Sequence, residues 1–189
     1  MRIFLSLNPD KGVLDSLKRL QDEIKEELGF TESFKIKWEQ EDKLHITLFF
    51  LGEVEEEKLN NIRESLRFIR KDDIGEINFE TDEFGAFPNL RHPRVLVCRV
   101  NNPDGKVFTL NARIAGILEN YGYRQDKRFS PHITLGRVKK NHIPNLLNLK
   151  SKKLKRTFSE REFFIMKSVL SFKGSEYETL ESVRLDKGD

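Results

Sequence analysis

The tetrapeptide His-Ile-Thr-Leu occurs twice in this chain, at 45–48 within LHITLFFLGEV and at 132–135 within SPHITLGRV, 87 residues apart (132 − 45). The chain has only four histidines in 189 residues, so chance accounts for such a match about once in a thousand. A repeat at that spacing points to two similar structural units, each carrying one copy. Ile, Thr and Leu sit well in strands, and successive side chains on a strand point to opposite faces. His45 and Thr47 therefore share one face, with Ile46 and Leu48 on the other. The same holds for His132 and Thr134 against Ile133 and Leu135. The apolar pair anchors each strand to a core, and each His–Thr pair is left facing outward, where pseudo-symmetry brings the two pairs together across a cleft.

The rest of the chain fits two such units. RIFLSLN alternates as a strand, and a helix is expected over Lys11–Leu28, where Val13, Leu14, Leu17, Leu20, Ile24 and Leu28 recur every three or four residues. FKIKWE reads as a strand leading to the first motif. A second helix is expected over Glu55–Arg70, with Leu59, Ile62, Leu66 and Ile69 on one face behind an acidic first turn. EINFETDEFGAF and PRVLVCRV read as strands and Phe108–Tyr121 as a third helix, followed by the second motif. A shorter helical piece over Ile143–Leu154 and the strands REFFIMKSVLSF and YETLESVRL complete the pattern. No Gly-, Ser- or Pro-rich linker divides the halves. The expectation is an α+β fold formed as one domain over 1–189 from two interleaved, pseudo-symmetric lobes, with antiparallel sheets around a central cleft and helices outside.

Composition excludes several function classes. One cysteine, Cys98, precludes an internal disulfide or a cysteine-based zinc site and suits a reducing cytoplasm. No apolar run approaches a membrane span or a signal-peptide core. A net charge of +3 is too small to name nucleic acid by itself, but is compatible with a polyanionic substrate. Basic residues cluster in YRQDKRF and KSKKLKR, each either a phosphate-facing patch or a solvated surface.

Two imidazoles and two hydroxyls around one pocket suit phosphoester chemistry. One neutral His takes a proton while a protonated partner gives one, as required when water attacks phosphorus and an alkoxide leaves. Threonine hydroxyls can hydrogen-bond the nonbridging oxygens. Zinc normally recruits at least three protein ligands, and no third ligand stands at a recognisable spacing from either motif, so neither metal nor other cofactor is expected. His92 and His142 lie in polar, Pro-containing loop sequence and receive no role.

The paired motifs and their flanks resemble the two-histidine (2H) phosphoesterases, and in particular their RNA 2′,3′-cyclic phosphodiesterase (LigT-like) branch. RIFLSLN, Trp38 ahead of KLHITLFFLGEV, FGAFPNLRHPRVLVCRV, FSPHITLGRV and SVLSFKGSEYETL follow that branch in order. The resemblance implies metal-independent opening of a 2′,3′-cyclic phosphate at an RNA end, or in a small cyclic nucleotide, to a 2′-phosphate. In that scheme His45 is the proton donor, His132 the proton acceptor, and Thr47 and Thr134 bind phosphate. Arg137 matches a position that contacts phosphate in relatives, although strict alternation turns it to the core side unless a bulge intervenes at Gly136. Relatives often carry a basic residue where this chain has Phe49; alternation places Phe49 in the cleft, able to stack on a base or ribose. Tyr177 fits the closing motif as a residue that packs or shapes the cleft. Other readings are 2′–5′ joining of RNA ends by the reverse chemistry and a non-catalytic nucleotide- or RNA-binding module. A cytoplasmic monomer is expected.

Overall fold

A computed structural model of the chain describes residues 1–142, 144–171 and 174–186. The end residues of two expected elements, Ile143 and Phe172, lie outside the described residues.

The strands are β1 (Arg2–Leu7), β2 (Ile36–Trp38), β3 (Ile46–Glu53), β4 (Ile77–Phe87), β5 (Val95–Asn101), β6 (His132–Val138), β7 (Thr157–Glu160), β8 (Glu162–Ser171) and β9 (Gly174–Arg184). They form one antiparallel sheet in the order β7-β4-β5-β6-β3-β1-β8-β9, with β2 paired to β6 off this path. The centre of the order falls between β6 and β3, the two motif strands, with four strands on each side. The two expected sheets thus meet edge to edge, through one bridge from Ile46 to Ile133. The β3 half draws on both ends of the chain (β1, β8, β9), and the β6 half on its middle.

Among the described residues, three helices cover the sheet. In α1 (Lys11–Phe34) the Asp10 side chain caps the start by accepting from the Val13 amide at 3.0 Å. Leu17, Leu20 and Ile24 are buried on one stripe. Gly29 breaks the helix where the sequence places its end, with φ 68° and ψ 173°, and a further turn carries the element to Phe34. The second helix, α2 (Glu56–Arg67), ends three residues before the expected boundary, its last turn tightening into a 3₁₀ segment at Phe68–Asp72. The third, α3 (Lys106–Glu119), buries Leu110, Ile114 and Leu118.

The structure departs from the sequence pattern in three places. The helical piece expected over 143–154 contains only a 3₁₀ turn at Leu147–Ser151, because Leu146 and Leu149 are buried without a longer apolar repeat to propagate a helix. Thr157–Glu160, assigned to no element by pattern, is edge strand β7 and inserts Phe158 against Phe79 with ring centroids 5.0 Å apart. The strand β1 is buried on both faces rather than one, because it lies inside the sheet and its second face, through Phe4, forms part of the cleft wall.

Candidate active site

The single bridge between Ile46 and Ile133 sets the geometry of the site. In an antiparallel pair that register puts His45 across from Thr134 and Thr47 across from His132, at the roughly 5 Å spacing of cross-strand neighbours. Each histidine therefore stands beside the other motif's threonine, all four on one face. The core side of both strands is sealed, with Ile46, Leu48, Ile133 and Leu135 each 1% exposed or less.

Immediately after each threonine the alternation breaks. Along β3, Ser6 pairs with Thr47 and Leu5 with Phe49, so Leu48 is an extra residue. Along β6, Val97 pairs with Thr134 and Leu96 with Gly136, so Leu135 is the extra residue. These equivalent bulges reverse the phase of the residues beyond them. Phe49 turns into the core at 3% exposure and Phe50 turns out at 51%. The expectation that Phe49 faces the cleft is thereby corrected: Phe50 takes that place. On the other strand the bulge falls one residue before the expected Gly136 and turns Arg137 to the cleft side. Gly136 has a different duty, since a Cβ there would lie 2.9 Å from Ile36 Cγ2 and 3.2 Å from the Lys37 carbonyl oxygen. Its lack of a side chain lets β2 pair closely with β6. Phe50 and Arg137 are equivalents, each five residues after its histidine.

Both imidazoles are oriented alike. His45 Nδ1 lies 2.7 Å from the Lys43 carbonyl oxygen and His132 Nδ1 lies 2.7 Å from the Ser130 carbonyl oxygen. A carbonyl only accepts, so each Nδ1 carries the hydrogen, and each Nε2 is the atom that exchanges protons in the neutral ring. His45 Nε2 is 3.1 Å from Thr47 Oγ1. Its ring is packed by Phe4 (centroids 5.0 Å) and, edge-on, by Tyr177 (5.5 Å, 84°), which gives Tyr177 the cleft-shaping place expected from sequence. Burial pushes the His45 pKa down to about 4, and the nearby Arg137 and His132 charges act in the same direction. Burial also lowers His132, helped by Arg137 and Arg99. Without a bound anion, both rings are held neutral at pH 7.

A cleft of about 360 Å³ opens over this face, walled by His45, Thr47, Phe50, Thr134, Arg137 and Tyr177 among others. His132 stands outside that wall, on the same strand face as Thr134, its ring edge-on to Phe87 at 5.0 Å. Among the described residues, the charged wall residues are Arg2, Lys37, Lys43 and Arg137 against Glu39, a surplus of cations suited to an anionic ligand. Arg137 pairs with Glu39 at 3.4 Å, and Arg2 lies over the Phe50 ring at 5.0 Å. Sequence reasoning missed Arg2, Lys37, Lys43 and Phe50; equal offset from the two histidines was the signal that could have found Phe50. The basic clusters YRQDKRF and KSKKLKR contribute no wall residue. Within the second, Lys152 pairs with Glu27 at 2.8 Å and Arg156 Nε donates to Ser16 Oγ at 3.0 Å. Among the described residues, no group of three or more His, Cys, Asp or Glu could hold a metal ion, and no helix is long and apolar enough to cross a membrane.

Two histidines and two threonines brought together beside a cationic cleft suit phosphoester chemistry. Comparison with known proteins agrees. Residues 7–97 match the model of the LigT-like phosphoesterases. An RNA 2′,3′-cyclic phosphodiesterase of Archaeoglobus fulgidus is 34% identical over 183 residues, covering 95% of this chain and 98% of the relative. One from Methanocaldococcus jannaschii is 33% identical, covering 96% and 99%. The fold matches a crystal structure from Thermus thermophilus (TM-score 0.80, 24% identity, all of both chains) and that of E. coli LigT complexed with 3′-AMP (TM-score 0.75, 21% identity, 97% of each). The chain belongs to the 2H phosphoesterase family, in its LigT-like branch.

Proposed function

We propose that this chain hydrolyses the 2′,3′-cyclic phosphate at an RNA end to a 2′-phosphate, using two histidines as acid and base and no metal. The observation that carries this reading is the pairing of the two motif strands at Ile46 and Ile133, with both histidine Nδ1 atoms tied to backbone carbonyls and His45 Nε2 at 3.1 Å from the Thr47 hydroxyl. The names of the relatives support the substrate class.

In the reaction, His132 Nε2 takes a proton from a water molecule as its oxygen bonds to phosphorus. The P–O3′ bond breaks, and protonated His45 gives its Nε2 proton to the departing O3′, leaving a 3′-hydroxyl and a 2′-phosphomonoester. The Thr47 and Thr134 hydroxyls and the Arg137 guanidinium donate to the nonbridging oxygens, where charge builds up. Phe50, with Arg2 over its ring, offers a stacking surface for the base. The donor role of His45 rests on the family resemblance. In the unliganded site His45 is held neutral by burial, so the bound phosphate must itself favour the imidazolium, as a nearby anion does.

The test is a short RNA with a 2′,3′-cyclic phosphate end, incubated with the protein in excess chelator and resolved into phosphate isomers. Conversion to the 2′-phosphate is expected. Formation of the 3′-phosphate, or loss of turnover on chelation, overturns the assignment of bond cleavage or of metal independence respectively.

A further inference from the structure

The two bulges that open the cleft are held by a matched pair of buried amides. Leu135 and Leu48 are the extra residues of their strands, and a buried backbone carbonyl in a disrupted ladder requires donors from elsewhere. The Leu135 carbonyl accepts from Gln21 Nε2 at 2.8 Å and from the Glu39 amide at 3.0 Å. The Leu48 carbonyl accepts from Asn111 Nδ2 at 2.8 Å and from Gln125 Nε2 at 3.1 Å. Each thus receives one amide from a helix interior and one donor from a loop.

The pairing is crossed. Gln21 lies on α1, before the first motif, and grips the second; Asn111 lies on α3, between the motifs, and grips the first. Gln21 is 0% exposed and Asn111 7%, on stripes built mainly of Leu, Ile and Val, with Ser16 the other buried polar residue on α1. Gln21 spends its second N–H on the Glu39 carbonyl at 3.0 Å, and its Oε1 is the buried side-chain atom left without a partner among the described residues. Such an orphaned acceptor is a cost. It is accepted here because both N–H donors are committed to the bulge and to Glu39, whose carboxylate pairs with Arg137.

We propose that Gln21 and Asn111 are positioning residues that fix the bulges at Leu135 and Leu48 and so turn Arg137 and Phe50, respectively, toward the substrate. Gln21 acts on the phosphate-binding side and Asn111 on the stacking side, although neither lines the cleft. This rests on the phosphodiesterase reading for its kinetic consequence, but not for its geometric one.

The experiment uses Gln21→Leu and Asn111→Leu in the full chain, alone and combined with Arg137→Ala or Phe50→Ala, on RNA ending in a 2′,3′-cyclic phosphate. Loss of the amide loosens the bulge, and Gln21→Leu is expected to raise KM about tenfold with a smaller change in kcat. Added to Arg137→Ala it should cost less than about twofold more, because its effect passes through Arg137. Asn111→Leu should show the same loss of effect in the Phe50→Ala background but not in the Arg137→Ala background. Undiminished penalties in both backgrounds, or lowered melting temperature with unchanged kinetics, would reduce both amides to core packing and overturn the proposal. Should Gln21→Leu fail to fold, Gln21→Ala leaves room for a water, and the Asn111 arm stands independently. The Arg137 Nε–H signal in the NMR spectrum of the unliganded protein needs no turnover. It should shift in Gln21→Leu and not in Asn111→Leu, and an unchanged signal in both overturns the geometric claim even if the protein proves inactive on RNA.

Discussion

His45 should make this protein less stable as the solution is acidified below pH 6.5, by an amount the structure sets. The unfolded chain's imidazole takes up its proton near 6.5, whereas burial holds the folded one neutral down to about 4. Above 6.5 neither state binds the proton and nothing is lost. Between the two values the unfolded state binds it and the folded state does not, so stability falls with pH, and below about 4 the loss levels off. The gap from 6.5 to about 4, at roughly 1.36 kcal/mol per pH unit, corresponds to about 3 kcal/mol. Other groups also contribute to the pH dependence of stability, so the assay compares the parent with His45→Asn, whose amide retains a donor for the Lys43 carbonyl. Urea unfolding of both at half-unit steps from pH 7.5 to 4 isolates the His45 contribution as the change in their difference. The parent should lose about 3 kcal/mol relative to the variant across that window. Saturating inorganic phosphate should reduce the loss, because an anion beside the ring favours its charged form. A difference that stays flat with pH, or one that moves in the parent's favour as pH falls, would refute burial as the dominant influence on this histidine.

Further outcomes are expected from the structure. Arg137→Ala should raise KM for RNA with a cyclic phosphate end by about tenfold or more, a loss of charge-assisted bonds to phosphate worth roughly 1.5–3 kcal/mol, whereas Phe50→Ala should weaken binding of nucleotides by about 1–3 kcal/mol through lost stacking. Phe49→Leu, by contrast, should affect stability and leave KM unchanged. Because both histidines titrate below 6.5 in the unliganded protein, kcat/KM should peak on the acid side of that value and fall as pH rises. The kcat optimum should lie higher, since the bound phosphate raises both; a kcat/KM optimum above neutrality contradicts this. Cys98 is buried and its thiol is pushed up to about 12, so the native protein should not react with a thiol reagent at pH 8 until denatured.

The reach of sequence reasoning ended at the bulges. The shared face of His45 with Thr47, and of His132 with Thr134, was legible because no irregularity separates each histidine from its threonine, and period-two alternation suffices over that stretch. One residue later it fails, and Phe49 was assigned a face that belongs to Phe50. The cause is non-local: the donors that hold the bulge carbonyls lie 63 residues away in Asn111 and 114 residues away in Gln21. Periodicity along a single strand carries no trace of them. Helix α1 was placed correctly through Leu28 by its apolar stripe, and Gly29 does break it, but the added turn to Phe34 has no stripe to announce it. Strand β7 escaped notice because its four residues offer one apolar side chain, Phe158, and take their conformation from pairing with β4. That the two motifs lie on neighbouring strands was foreshadowed by the repeated tetrapeptide, whereas the recruitment of β8 and β9 beside β1 required the three-dimensional pairing.

The central claim is that two histidines, and no metal, carry the chemistry. Its most direct measurement is single-turnover hydrolysis of RNA with a 2′,3′-cyclic phosphate end, in chelator, by the parent, His45→Ala and His132→Ala. Either substitution should lower the rate by at least about 10²-fold, the usual worth of a positioned acid or base, with RNA binding retained. A variant of either histidine that keeps the parent's rate would contradict the two-histidine mechanism.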